Sequence, residues 1–339
     1  MNTFNNDITK LFLKEFDKYW TKMLESINCK QAQLIQGNRL RPQICLWGYL
    51  ATQYPLDNKN TFSQIASVSV SIEMIHKASI ILDDWIDADC KRHGMPTFHT
   101  EHSPQDAVII ALTIIGLSLQ RLKQTIPTDS INMPYHYFLC LDVLIDTICS
   151  MANGVLKEIR MNEYNIYNLK IITDIAQLET SEIIGNSMII GYYTGLANEH
   201  PNANVVEKFK KIGDMCGYMF QAMNDLEVFS NPQKLYKHKG NFNSDVKQNR
   251  KNIAIATLYN IANQRDKQLL IKDLKNNMQP LMKKYNILEV MTYQLNDLFL
   301  QLKKNVICLQ NEDITSEWID GFLSFLDYIK AFGEDQLKQ

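Results

Sequence analysis

Backbone punctuation is scarce in this chain. It has 13 glycines and 9 prolines in 339 residues, about half of the roughly 12% that average usage supplies. Glycine provides the positive φ of tight turns, and proline interrupts helices. A chain so poor in both cannot build the many turns of a sandwich or propeller. Long helices joined by few loops are expected.

Apolar spacing agrees. Helical periodicity runs through 65–87, 135–160, 171–197, 205–229 and 287–309. No period-2 strand run stands out. Breaks fall near 37–42, 54–60, 94–104, 126–134, 198–204, 231–244 and 278–280, and none is long enough for an interdomain linker. The expectation is one all-α domain, 1–339, packed as a helical bundle. Hydrophobic residues make up 45% and charged residues 21%, which excludes disorder. A net charge of −2 gives no global field toward nucleic acid or a membrane surface. Seven cysteines without a Cys-x-x-Cys pair suit a reducing compartment, the cytoplasm. The longest apolar run, Ala107 to Leu119, is interrupted by Thr113, Gly116 and Ser118. It is short of the roughly 20 residues a bilayer requires, so no transmembrane segment is expected.

The sharpest local feature is Asp83-Asp84-Trp85-Ile86-Asp87 at the end of a helical stretch. Residues three and four apart share a helix face, so these carboxylates repel one another unless a cation intervenes. The face continues back through His76 and Glu73. A basic turn follows, Lys91-Arg92-His93-Gly94. Acid followed by base suits an anionic ligand held through a metal. Carboxylates bind Mg²⁺, Mg²⁺ holds phosphate oxygens, and Arg92 can pair with the remaining phosphate charge. Asp142 and Asp146 form another i, i+4 pair, but no basic turn follows and a surface role is expected.

The motifs together resemble the trans-isoprenyl diphosphate synthase (polyprenyl synthetase) family. Ile72–Asp84 resembles its helix into the first aspartate-rich motif, and Arg92–Thr97 resembles its R-R-G-x-P-T turn. Gly37–Pro42 resembles G-K-R-L-R-P, and Phe220–Glu227 resembles F-Q-x-x-D-D-x-x-D. Ser244-Asp245 and Asn249–Lys251 stand where the family has S-D…G-K-x-T. The resemblance implies a homodimeric helical bundle of isoprenoid synthase type around a deep central cavity. It implies Mg²⁺, two or three ions, on Asp83, Asp84, Asp87, Asn224 and Asp225. An allylic prenyl diphosphate is then ionised and its prenyl cation passed to an acceptor, with Asp83, Asp84, Asp87 and Arg92 as the catalytic set. Diphosphate contacts fall on Arg41, His76, Arg92, Thr180, Gln221, Lys239, Arg250 and Lys251. Ala78 and Ser79 stand where the family sets chain length.

The departures leave the acceptor open. Asn38 and His93 replace two family cations of the isopentenyl diphosphate site. Glu179 reverses the charge of a family lysine, and Val228 replaces the last aspartate of the second motif. Isopentenyl diphosphate is one candidate acceptor. Other readings are a terpene synthase acting on a C15 or longer diphosphate, a peptide prenyltransferase similar to the ComQ type, and an inactive partner subunit.

Overall fold

Apolar residues at helical spacing build the chain into an all-α bundle, as expected. In the computed structural model, residues 3–27, 34, 37–53, 62–125, 135–196, 200–230 and 250–338 are described. The first helices are α1 (Thr3–Ser26), α2 (Leu40–Gln53) and α3 (Phe62–Ile86). A hairpin follows, β1 (Lys91–Arg92) and β2 (Met95–Pro96), then α4 (Phe98–Glu101), α5 (Pro104–Gln124) and α6 (Tyr135–Ile159). Helix α7 (Leu169–Ala176) passes through a π-helical turn, Gln177–Ser181, into α8 (Glu182–Gly195). Helix α9 covers Ala203–Ser230. Beyond it lie α10 (Ile253–Ile261), α11 (Gln264–Lys272), α12 (Leu274–Lys284), α13 (Ile287–Ile307) and α14 (Ser316–Lys338).

Helices α3 and α8 occupy the centre because they are apolar or small nearly all round. Every residue from Ile183 to Gly195 is buried, and so is most of α3, including Ser69, Ser71 and Glu73. A second apolar cluster joins Ile172, Leu226, Ile255, Met278 and Met291 of α7, α9, α10, α12 and α13. It anchors the segment that returns to the end of α3.

Several glycines are not turn residues at all. A side chain at Gly48 of α2 would collide with the carbonyl of Met188, and one at Gly191 of α8 would collide with that of Cys45. Gly213 of α9 lies against the backbone of Gly185 in α8 in the same way. Missing Cβ atoms thus let α2 and α9 approach α8 closely.

Two expectations are corrected. The break placed at 278–280 falls inside α12, with Pro280 in the helix. Asp273 caps that helix by accepting from Asn276 N–H, and burial of Met278, Leu281 and Met282 outweighs the lost backbone bond. Two short strands pair where none was expected, with His93 (φ 52°) and Gly94 (φ 80°) as the turn. Positive φ at both positions is the signature of a type I′ hairpin. Among the described residues, three helices, α3, α5 and α6, are long and apolar enough to cross a membrane by length and composition alone. Counting uninterrupted runs missed them because Ser, Thr and Gly break a run without lowering the average much.

Gly191→Ala is expected to lower stability by about 2–4 kcal/mol, since the backbone of α2 has to move away. Gly116→Ala in α5 meets nothing within 4 Å and is expected to add about 0.5–1 kcal/mol through helix propensity. Urea unfolding of both variants checks the contrast.

Candidate functional site

The site begins where α3 stops. Ala88 takes φ 51°, and the next two amides turn back onto the helix: Ala88 N–H donates to Trp85 O (3.2 Å) and Asp89 N–H to Asp84 O (3.0 Å). This is a Schellman ending, with Ala where glycine is usual. The reversal carries the chain into the hairpin. Thr97 closes the hairpin base through its hydroxyl to Asp89 O (2.7 Å) and its amide to Cys90 O (3.1 Å). Arg92 is thereby laid back across the helix end. Its Nε donates to Asp84 (2.6 Å) and its Nη2 to Asp83 (3.0 Å).

The three aspartates do not act alike. Asp83 has 47% of its side chain exposed and Asp87 is half-buried on the same face. Asp84 is fully buried, and its Oδ2 has no hydrogen-bond partner. Burial pushes its carboxyl up to about 6, against the pull of Arg92. Asp84, expected as a metal ligand, is here paired with Arg92 through one oxygen, while the other oxygen is buried without a hydrogen-bond partner.

A chain of alternating charge extends from Asp87. Arg250 pairs with Asp87 and donates to Ile86 O (3.2 Å). It also approaches Glu158 of α6 at 3.7 Å. Lys251 reaches Glu158 with its ammonium (3.1 Å) and its backbone N–H (2.9 Å), and pairs with Glu179 as well. Glu179 lies on the π-helical turn, and such turns frequently mark functional sites. Gly154 of α6 leaves room for it, since a Cβ there would overlap Glu179 Cγ. Burial pushes Glu179 up to about 7 despite Lys251, and its Oε1 has no partner. Lys251 is held firmly charged, because Glu179 and Glu158 outweigh its burial.

Thr180, on the same turn, meets the second motif. Its hydroxyl donates to Gln221 Oε1 (3.0 Å), and Gln221 Nε2 donates to Asp225 Oδ1 (2.8 Å). Asp225 is buried, and its Oδ2 accepts from Ile253 N–H (2.6 Å) at the start of α10. Asp225 therefore holds a helix start rather than facing the open side, whereas Asn224 is exposed. Lys239 lies outside the described residues.

A basic pocket adjoins the acidic one. Arg39, with φ 51°, bonds Glu73 of α3 (2.8 Å) and stacks on Trp20 and Phe16 of α1. Lys77 is 3.9 Å from the same Glu73 oxygen and almost fully buried. Arg41 Nη1 donates to His76 Nε2 (2.9 Å), while its Nε is buried without a partner. Burial and the cations Arg41, Lys77, Arg92 and Arg39 hold His76 well below its ordinary range. It is neutral, and its Nε2 accepts from Arg41. Asn38 and His93 are both exposed.

An apolar pocket lies between α2, α8, α9, α13 and α14, lined by Ile44, Met188, Met219, Phe220, Phe299 and Phe322 among others. Ala78 and Ser79 do not line it. Ala78 is packed in the core, and Ser79 donates to His76 O (2.8 Å). Asp142 and Asp146 are exposed, in keeping with the surface role expected of them.

The two halves carry opposite excess charge. In the acidic half, Asp83, Asp84, Asp87, Glu158 and Glu179 meet Arg92, Arg250 and Lys251. In the basic half, Arg39, Arg41 and Lys77 meet Glu73. Among the described residues, no three His, Cys, Asp or Glu side chains converge as a preformed metal cage. Two carboxylates on one helix face, Asp83 and Asp87, fit Mg²⁺, which keeps several waters and takes its remaining ligands from phosphate. One residue in these networks, Glu158, belongs to no motif and ends a helix without any recognisable pattern.

In metal-free protein, Asp84 is expected to make stability fall as pH rises. Its folded value of about 6 exceeds its ordinary 3.8, so the folded state binds the extra proton between them. The stability present below pH ~4 is lost by pH ~6, about 3 kcal/mol in all. Urea unfolding in EDTA at several pH values checks this, because Asp84→Asn removes the titration and flattens the curve. Parallel curves for the two proteins would show that Asp84 ionises normally.

Comparisons with known proteins extend the description. A family model described as Polyprenyl synthetase matches residues 24–291. A geranylgeranyl diphosphate synthase of Methanosarcina mazei is 23% identical over 199 residues, 59% of this chain and 57% of that protein. A short chain isoprenyl diphosphate synthase of Methanocaldococcus jannaschii is 22% identical over 275 residues, 80% of this chain and 78% of its own length. The match to the Methanosarcina protein thus spans less than two thirds of that relative. A polyprenyl synthase from Caulobacter crescentus, solved with calcium and isoprenyl diphosphate, superposes with a TM-score of 0.74 at 14% identity, covering 96% of this chain and 95% of that one. With the family model matching well over half of its length, this chain belongs to the polyprenyl synthetase family.

Proposed function

We propose that this protein transfers a prenyl group from an allylic diphosphate to an acceptor, and that it requires Mg²⁺. The observation that carries this reading is the abutment of an acid-rich and a cation-rich half, with Arg92 acting on both. Arg92 pairs with Asp83 and Asp84 and is felt electrostatically by His76 and Lys77. A diphosphate bridging a divalent cation on one side and fixed cations on the other compensates both excesses.

Asp83 and Asp87 would hold Mg²⁺, which when bound supplies Lewis-acid stabilisation of a leaving diphosphate. Asp84 keeps Arg92 in place, so that its guanidinium is already aimed at the charge that develops as the C–O bond breaks. Arg250, tied to Asp87 and Glu158, brings a second cation to the same end of α3. Thr180 and Gln221 orient each other beside it. No protein nucleophile is needed. The Caulobacter structure of the same fold was solved with calcium and isoprenyl diphosphate, a divalent cation and a diphosphate of the proposed kind.

The protein is also proposed to be a homodimer. Helices α5 and α6 present Ile109, Leu112, Phe138 and Ile145 to solvent, with exposures of 40–63%. These large apolar side chains on neighbouring helices form a face that a second copy would cover.

Purified protein with Mg²⁺ and C5 to C20 allylic diphosphates is expected to yield a longer diphosphate when isopentenyl diphosphate is present. Hydrocarbons or alcohols formed without it would move the assignment to a terpene synthase. Absence of turnover with every pair would overturn small-molecule prenyl transfer. Asp87→Ala is expected to lower kcat on the order of a hundredfold or more. In sedimentation analysis the wild type should run as a dimer, and Ile109→Glu with Leu112→Glu as a monomer. Binding of the wild type to lipid vesicles as a monomer would assign the apolar face to a membrane instead.

A further inference from the structure

Glu179 is a buried carboxylate that the charge network only half engages. Its Oε2 pairs with Lys251, but its Oε1 is buried without a hydrogen-bond partner. The neighbouring acids are more fully occupied. Glu158 accepts from the Lys251 ammonium with one oxygen and from the Lys251 N–H with the other. Asp84 is bound to Arg92 at the helix end, and Asp87 to Arg250. A carboxylate oxygen left bare in a dry place costs stability. Groups perturbed in this way cluster at sites where protons move.

The surroundings tune this carboxylate for such a task. Glu179 stands on the π-helical turn beside Thr180, with its Cγ seated over Gly154 of α6. It is in the field of Lys251 ahead of α10, Glu158 of α6 and Asp83 of α3. The other charged groups on the elements packed around the turn have their own partners. Glu182 of α8 pairs with Lys210 of α9 (3.0 Å), and Asp174 of α7 with Lys170 (3.0 Å). Asp225 of α9 is held by Gln221 and the Ile253 N–H. Burial raises Glu179, Lys251 lowers it, and the two acids raise it further. The balance at about 7 suits a group that takes up and releases a proton near neutral pH. His76 is a poorer base, because burial and the cations around it oppose its protonation.

We propose that Glu179 is the base that takes the proton released when the acceptor is prenylated. The inference rests on the prenyl-transfer reading above, with an alkene such as isopentenyl diphosphate as acceptor. As the allylic C–O bond breaks, its electron pair leaves with the diphosphate. The π pair of the acceptor alkene forms the new C–C bond and leaves a cation on the adjoining carbon. A neighbouring C–H bond then gives its electron pair to a new double bond and its proton to Glu179 Oε1. Lys251, bound to Oε2, holds the carboxylate in place. Solvent receives the proton as the product leaves. The lysine that the resembled family has at this position could not act so, since it is already protonated at neutral pH.

The test uses the full chain with Mg²⁺, an allylic diphosphate and isopentenyl diphosphate. Wild-type kcat should rise with pH through about 7, because only the ionised carboxylate accepts a proton. Glu179→Gln should abolish that rise and lower kcat about a hundredfold or more, without raising KM for the allylic diphosphate. Isopentenyl diphosphate deuterated at the carbon that loses its proton should slow Glu179→Gln more than it slows the wild type. Thermal melting reports folding, and Glu179→Asp, which keeps a carboxylate, should retain the pH dependence at a lower kcat. In metal-free protein, infrared difference spectra of wild type against Glu179→Gln should show a protonated carboxyl band that disappears as pH rises through about 7. A Glu179→Gln enzyme as fast as wild type overturns the role. So does a slow one that keeps the pH rise and gains no isotope effect, and so does absence of the carboxyl band. No turnover by the wild type overturns the prenyl-transfer reading and this inference with it, whereas wild-type turnover with an unaffected Glu179→Gln overturns this inference alone.

Discussion

Carboxylates crowded at the end of one helix cannot stay ionised together without cations, and the architecture around α3 is arranged to bring them. The Schellman ending at Ala88 reverses the chain, and the hairpin that follows returns Arg92 to Asp83 and Asp84. From the other side, α10 starts next to Asp225, and the two residues Arg250 and Lys251 just before it reach Asp87, Glu158 and Glu179. The cluster thereby ties together α3, α6, the π-helical turn and the start of α10. Even so, carboxylates remain in excess, which leaves a place for a divalent cation.

Local features of this site were legible in the sequence. The i, i+4 relation of Asp83 and Asp87 needs only the helix repeat. The hairpin is implicit in His93-Gly94, although two residues of strand on either side are too short for a periodicity signal. What the sequence concealed is long-range. Glu158 and Lys251 lie 93 residues apart and belong to no common motif. Burial of Asp84 was hidden too, because it depends on which side of α3 the hairpin folds over. Equal letters in an acidic motif take opposite roles when one faces solvent and its neighbour faces the core.

Glycine scarcity proved to have two meanings. Gly37 and Gly94 do what composition suggested and supply positive φ beside the site. Gly48, Gly185, Gly191 and Gly213 instead thin the helices where α2 and α9 cross α8. A helical glycine costs about 1 kcal/mol relative to alanine, so its presence at crossings requires a return in packing. That return is positional. Helix α2 begins at the loop that carries Arg39 and Arg41, and α9 carries Gln221 and Asp225, so the depth of these crossings sets where both halves of the site stand.

The altered second motif also makes physical sense in this frame. A motif whose aspartates faced a metal could not lose its last carboxylate without losing a ligand. Here Asp225 accepts from Ile253 N–H and from Gln221, and so positions the start of α10. Just ahead of that start, on the far side of its cap Asn252, are Arg250 and Lys251, the cations that balance the first motif. Asp225 thus acts on the acidic cluster through the backbone it holds, and that task needs one buried carboxylate at this position. Val228 in place of a further aspartate leaves the task untouched, which reconciles an eroded motif with an intact charge network around Asp83 and Asp87.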